Sequence, residues 1–137
     1  MGKSLAKQSI AIIPKIRELD VFLNAHPEYK NKILESHPEV DFARLNGSVL
    51  MSRKKEEPGP SQRIAILSEF LDQKELYRMY NKAKELRCNQ DDLIDAICLA
   101  VTGALYAHGQ YETIPAEPEL DERGLIMQLI VPKKRTR

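Results

Sequence analysis

The chain has 137 residues, a length that suits one domain, and its 42% hydrophobic and 30% charged content is typical of a folded globular protein. Its formal net charge of +1 at pH 7 gives no overall electrostatic bias toward nucleic acid or a membrane surface. No apolar stretch is long enough to span a bilayer, and the run 10–13 stops at Pro14, too early for a signal peptide. Cys88 and Cys98 lack metal-ligand spacing, so we expect reduced thiols in a cytoplasmic protein.

The first half of the chain predicts helices separated by short polar segments. Apolar residues at helical spacing predict a first helix, with either a kink or a new start at Pro14. Residues 32–36 are a short strand candidate, and residues 40–45 predict a short helix that stops at an Asn-Gly pair. The charged, proline-containing segment 52–62 is predicted to be a surface loop.

Two further helices are predicted after this loop. Ser61 is a candidate cap for a helix whose apolar face includes Ile64 and Leu67, and a second helix follows over 76–86.

The strongest helix signal comes next. Residues 93–105 are apolar on nearly every side, which predicts a buried helix, and Gly109 suits its C-terminal end. The proline-containing segment 112–123 is predicted to be a loop, and 125–131 a strand covered on both faces. The chain is therefore expected to be mostly helical with about two strands.

Three carboxylates open the predicted buried helix. Asp91 and Asp92 can cap it and complement its dipole. Asp95 lies about one turn further in, on the same face as Asp92, and a buried carboxylate needs a cation, a donor or water. Two interpretations stay open: a divalent-metal site, or a cap plus one hydrogen-bonded aspartate.

Several motifs together suggest a family. The run 35–47 reads Glu-Ser-His-Pro-Glu-Val-Asp-Phe-Ala-Arg-Leu-Asn-Gly, 54–55 is Lys-Lys, 91–96 is Asp-Asp-Leu-Ile-Asp-Ala, and 121–125 is Asp-Glu-Arg-Gly-Leu. This combination resembles a bacterial and archaeal domain family of unknown function, whose members are described as predicted nucleases with an RNase H-like fold. The resemblance extends over nearly the whole chain.

The resemblance implies a metal-dependent phosphodiester hydrolase site. Glu35 matches the family's strand carboxylate, and Asp92 and Asp95 match its helix pair, so these three are the expected catalytic residues and metal ligands. Such sites hold two divalent metals, and oxygen ligands suit magnesium or manganese. Lys54 or Lys55 would contact phosphate.

The resemblance also implies that part of the fold is missing. Family domains begin with strands that carry a first acidic residue, whereas this chain resembles their C-terminal portion. The expected fold class is therefore α/β, an incomplete RNase H-like fold over residues 1–137 as a single domain. Catalysis would need the missing acid from a partner, or from a shifted residue such as Asp41. We expect self-association or a separate chain that supplies the strands, nucleic acid as a further partner, and no membrane.

The alternative is a non-catalytic remnant or assembly module. In a nuclease, Glu35, Asp92 and Asp95 should converge at a solvent-facing site, whereas in an assembly module they should diverge or pair with arginine and lysine. The basic clusters 53–55 and 133–137 are either solvated segments or phosphate contacts.

Overall fold

A computed structural model describes residues 7–135, apart from the side chains of residues 7–9 and Lys84. Within that range the chain is mixed α/β and mostly helical, with a two-stranded antiparallel sheet, which confirms the expected class. The helices are α1 Lys7–Ala25, α2 Pro38–Asn46, α3 Gly59–Leu67, α4 Gln73–Glu85 and α5 Gln90–Ala107, with a 3₁₀ turn at Pro27–Tyr29, and the strands are β1 Tyr111–Leu120 and β2 Ile126–Pro132. No helix in this range is long and apolar enough to cross a membrane.

The described residues group into two compact units. One contains residues 7–34 and 120–126, and the other contains 35–119 and 127–135. In the first, Arg123 Nη1 lies 2.8 Å from Asp20 Oδ2, and the carboxylate of Asp121 accepts the backbone N–H groups of Arg123 and Leu125. The single-domain prediction stays a prediction.

The hydrophobic core of the larger unit lies against one face of α5. Helices α2, α3 and α4 all pack against α5, and α2 and α4 each also contact α3. Fully or nearly fully buried members of this core are Phe42, Leu45, Ile64, Leu67, Leu76, Ile94 and Cys98. Burial of these side chains removes apolar surface from water and so stabilises the unit.

Helix α5 is buried on one face only, so the expectation of a helix covered all round is wrong. Ile94, Cys98, Val101 and Thr102 are buried, whereas Leu99 is 39% exposed. Helices α2, α3 and α4 cover a single stripe, and the small residues of the opposite face are exposed in the described chain. The predicted end of the helix is confirmed, because Gly109 has a φ of 69° just after the last helical turn.

The strand predictions had mixed outcomes. Strand β2 confirms the strand predicted over 125–131, although its first residues are exposed and only its end is buried. The loop expected over 112–123 is wrong, because most of it forms β1. The prediction of a strand over 32–36 is also wrong. Its first residues fold into a turn on Tyr29, and one backbone hydrogen bond, from Ile130 to Glu35, links its end to β2.

The predicted loop 52–62 is shorter than expected, because α3 begins at Gly59 rather than after a Ser61 cap. A Cβ on Gly59 would lie 1.8 Å from the Arg53 carbonyl oxygen, so the chain can fold back on itself here only with glycine. Pro60 occupies the first turn of α3, where its fixed φ suits a helix start. Pro14 lies within α1, which continues through it as one helix.

Candidate functional site

Ion pairs join the start of α5 to the loop that precedes α3. Lys54 Nζ donates to Asp95 Oδ2 at 2.8 Å, and Lys55 Nζ lies 3.6 Å from Asp91 Oδ2. Asp91 and Asp95 share a face of α5 because they are four residues apart. The hydrogen bond that Lys54 donates to Asp95 is the main factor that raises the pKa of Lys54, with smaller contributions from nearby carboxylates that include Asp91 and Glu39. The Lys54 ammonium therefore lies in a concentrated negative field.

A third ion pair lies deeper, between α2 and α3. Arg63 is 2% exposed, and its Nη2 donates to both carboxylate oxygens of Glu39, at 3.0 and 2.8 Å. Its Nη1 donates to the carbonyls of Ser52 and Gly59, at 3.4 and 3.2 Å. One buried guanidinium thus connects α2, α3 and the loop between them. An arginine within the otherwise apolar stretch of α3 was the sequence signal for this buried pairing.

Asp41 is a fourth acidic group in this region, and it is completely buried. Its Oδ2 accepts hydrogen bonds from Ser36 Oγ at 2.7 Å and Thr102 Oγ1 at 3.0 Å, while its Oδ1 has no partner among the described residues. Burial raises the pKa of Asp41, and the two hydroxyl hydrogen bonds offset only part of that effect. Asp41 therefore links α2 to α5 rather than facing solvent.

The three predicted ligands have different surroundings. Glu35 is exposed and its backbone carbonyl accepts from Ile130. Asp92 is exposed and accepts from Asn89 Nδ2 at 2.9 Å. Asp95 is paired with Lys54, and its Oδ1 is buried without a partner among the described residues. The part of the chain that the structure describes contains no group of three histidine, cysteine, aspartate or glutamate side chains placed to hold one metal ion. Metal binding by these three residues therefore stays a prediction.

Cys98 and His37 lie near these carboxylates and carry side chains capable of nucleophilic or general-base chemistry. Burial raises the pKa of the Cys98 thiol far above its ordinary value, and nearby carboxylates add to that effect, so this cysteine stays protonated and unreactive. His37 precedes Pro38 and has the extended backbone that this position predicts, with its side chain exposed at the start of α2. The local chemistry is therefore that of carboxylates and cations.

Comparison with sequence models of known families assigns the chain to one of them. A sequence model described as a protein of unknown function, DUF429, matches residues 1–120. The chain belongs to the DUF429 family. No curated protein and no solved structure matches this DUF429 chain. Membership confirms the part of the resemblance that named a domain family of unknown function, while the nuclease activity and RNase H-like fold stay predictions for this DUF429 protein.

Proposed function

We propose that this DUF429 chain supplies carboxylates for metal-dependent phosphodiester hydrolysis, with Glu35, Asp92 and Asp95 as ligands of Mg²⁺ or Mn²⁺. Asp95 carries the proposal. Its Oδ2 already binds a cation, the Lys54 ammonium, and its buried Oδ1 has no partner within the described residues. A buried carboxylate oxygen without a donor favours a nearby positive charge. When bound, the metals would activate water and stabilise the leaving oxygen at phosphorus.

The proposed site needs a rearrangement before all three ligands can act together. Lys54 has to leave Asp95, and Glu35 has to approach the start of α5. We propose that association with a second copy of the chain brings this about. Exposed apolar side chains support association, since contiguous apolar surface marks interaction sites. Five side chains of α1 are between 49% and 59% exposed: Ile10, Ile12, Ile13, Ile16 and Val21.

A non-catalytic assembly module is the second candidate, and a different observation favours it. Asp95 and Asp91 are each paired with a lysine of the loop before α3, and Glu39 is paired with Arg63. In this case the carboxylates hold the loop against α5 and stabilise the larger unit. The two candidates therefore differ in whether a metal can displace Lys54.

Calorimetric titration with manganese tests the proposal. The wild type should bind Mn²⁺ saturably, and Asp95→Asn should abolish that binding. Asp72→Asn is the matched control, because asparagine can keep the hydrogen bond that Asp72 Oδ1 accepts from the Glu75 N–H at the start of α4. Lys54→Ala should tighten Mn²⁺ binding, because the competing ammonium is removed. Sedimentation at the same protein concentration reports the oligomeric state.

Two results would reject the metal site. One is no Mn²⁺ binding by either the wild type or Lys54→Ala, and the other is equal binding by Asp95→Asn and the wild type. Either would favour the assembly module. If Mn²⁺ binding is confirmed, the wild type should also cleave labelled DNA or RNA when Mg²⁺ is added, and Asp95→Asn should not.

A further inference from the structure

A surface pocket lies on the larger unit, away from the acid–base pairs at the start of α5. Its volume is about 510 Å³, within the range of small-molecule sites. Leu45, Phe70 and Leu105 contribute apolar walls, and the polar lining consists of Glu69, Gln110 and the basic segment Lys133, Lys134 and Arg135. We name this feature the basic pocket. It combines an apolar surface with a cluster of positive charge.

The backbone of the basic segment is held in place at both ends. The Lys133 N–H donates to the Gln110 carbonyl at 3.2 Å, and the Arg135 N–H donates to the Arg44 carbonyl at 3.3 Å. A Cβ on Gly47 would lie 2.9 Å from the Arg135 carbonyl oxygen, so glycine allows this close approach at the end of α2. The basic side chains therefore project from a fixed segment, which reduces the entropy lost when they bind a ligand.

The charges in the basic pocket are unequally compensated. Arg135 pairs with Glu69, and its guanidinium lies 4.7 Å from the centre of the Phe70 ring. Lys133 and Lys134 are exposed and form no ion pair within residues 7–135, and Arg137 lies outside the described residues. The pocket therefore presents the Arg135 guanidinium over the Phe70 ring, beside two ammonium groups that have no ion pair within the described residues.

We infer that the basic pocket binds a nucleotide unit, either a free nucleotide or one unit of a single strand. The inference rests on the proposed function, because it names the substrate class of that hydrolase. Lys133 and Lys134 would contact phosphate as point charges. The apolar wall, together with the Phe70 and Arg135 planes, would accept a base. A run of aspartates and glutamates would satisfy the lysines but has no aromatic ring to lie against Phe70 and Arg135, so the combination favours a nucleotide.

Fluorescence anisotropy with a labelled oligothymidylate in EDTA tests the inference. The double variant Lys133→Ala/Lys134→Ala should weaken binding by roughly tenfold, because two charge-assisted contacts are lost. If each lysine contacts one phosphate, those two contacts account for an affinity change of about sevenfold between 50 and 200 mM salt. Lys74→Ala/Lys82→Ala is the matched control, since both lysines are exposed on α4, and it should bind as the wild type does. Phe70→Leu, which keeps an apolar side chain, should also weaken binding.

Competition experiments identify the source of the nucleotide. Displacement of the oligomer by thymidine monophosphate assigns the pocket to free nucleotides, and displacement only by unlabelled oligomer assigns it to a strand. Three results would overturn the inference: no binding by the wild type, equal loss in both double-lysine variants, or equal competition by polyglutamate. EDTA removes divalent metals, so this assay measures nucleotide binding independently of the proposed hydrolysis. If the oligomer binds in EDTA but is not cleaved when metal is added, only the proposed hydrolase is refuted. If the wild type does not bind the oligomer in EDTA, and Lys133→Ala/Lys134→Ala cleaves nucleic acid as the wild type does, only the basic pocket is refuted.

Discussion

Replacing Glu39 with glutamine tests how strongly the buried Arg63 depends on its carboxylate partner. Arg63 is 2% exposed and makes two hydrogen bonds to Glu39, at 2.8 and 3.0 Å. Glutamine keeps the size and one acceptor oxygen but removes the compensating charge. Removing one partner of a fully buried pair costs about 3–5 kcal/mol. The Glu39 side chain is 40% exposed, so water offsets part of that cost. We therefore expect the free energy of unfolding to fall by about 1.5–3 kcal/mol.

Urea unfolding followed by far-ultraviolet circular dichroism at pH 7 measures this change. Glu75→Gln is the matched control, because Glu75 also pairs with an arginine, Arg78, whose side chain is 65% exposed. An exposed pair of this kind contributes little, so the control should leave the unfolding midpoint unchanged. Equal midpoint shifts in the two variants would refute the argument that burial of Arg63 makes its pairing important.

Three other predictions follow from the larger unit. Burial raises the pKa of Asp41 above its ordinary value of 3.8, so the folded state holds its proton more tightly and the wild type loses stability as pH rises through the folded pKa. Asp41→Asn should thus be more stable than the wild type in urea unfolding at pH 7, and the difference in stability should vanish below pH 3.8. A variant that is less stable than the wild type at pH 7 would contradict this reasoning. Gly59→Ala should lower the free energy of unfolding by about 1–3 kcal/mol or more, because its Cβ would clash with the preceding loop. Gly103→Ala has open space at its Cβ, so it should raise the free energy of unfolding by about 0.5–1 kcal/mol, and thermal unfolding measures both changes. A thiol reagent should label exposed Cys88 rapidly and buried Cys98 only after urea unfolding, and equal native rates would contradict the burial of Cys98.

Local chemistry within the sequence determined where several elements begin and end. The extended backbone of His37 follows from steric restriction by Pro38, and α2 stops at Gly47, which has a φ of 77° that glycine adopts without strain. The helix of residues 93–105 and the strand of 125–131 were also predictable, since apolar pattern and flanking turn residues act over a few residues.

The tertiary structure alone decided which strands pair and which charges meet. Residues 32–36 have a strand-like composition, but they begin in a turn and form no strand. In contrast, β1 forms despite Pro115 and Pro118, because a two-stranded sheet leaves each strand an unpaired edge that tolerates proline. The sequence placed Asp95 on a helix, but its pairing with Lys54, 41 residues away, depends on how the loop folds onto α5. Such contacts depend on the packing of distant segments, which no local pattern encodes. The same packing covers only one face of α5, although its apolar residues alone predicted burial all round.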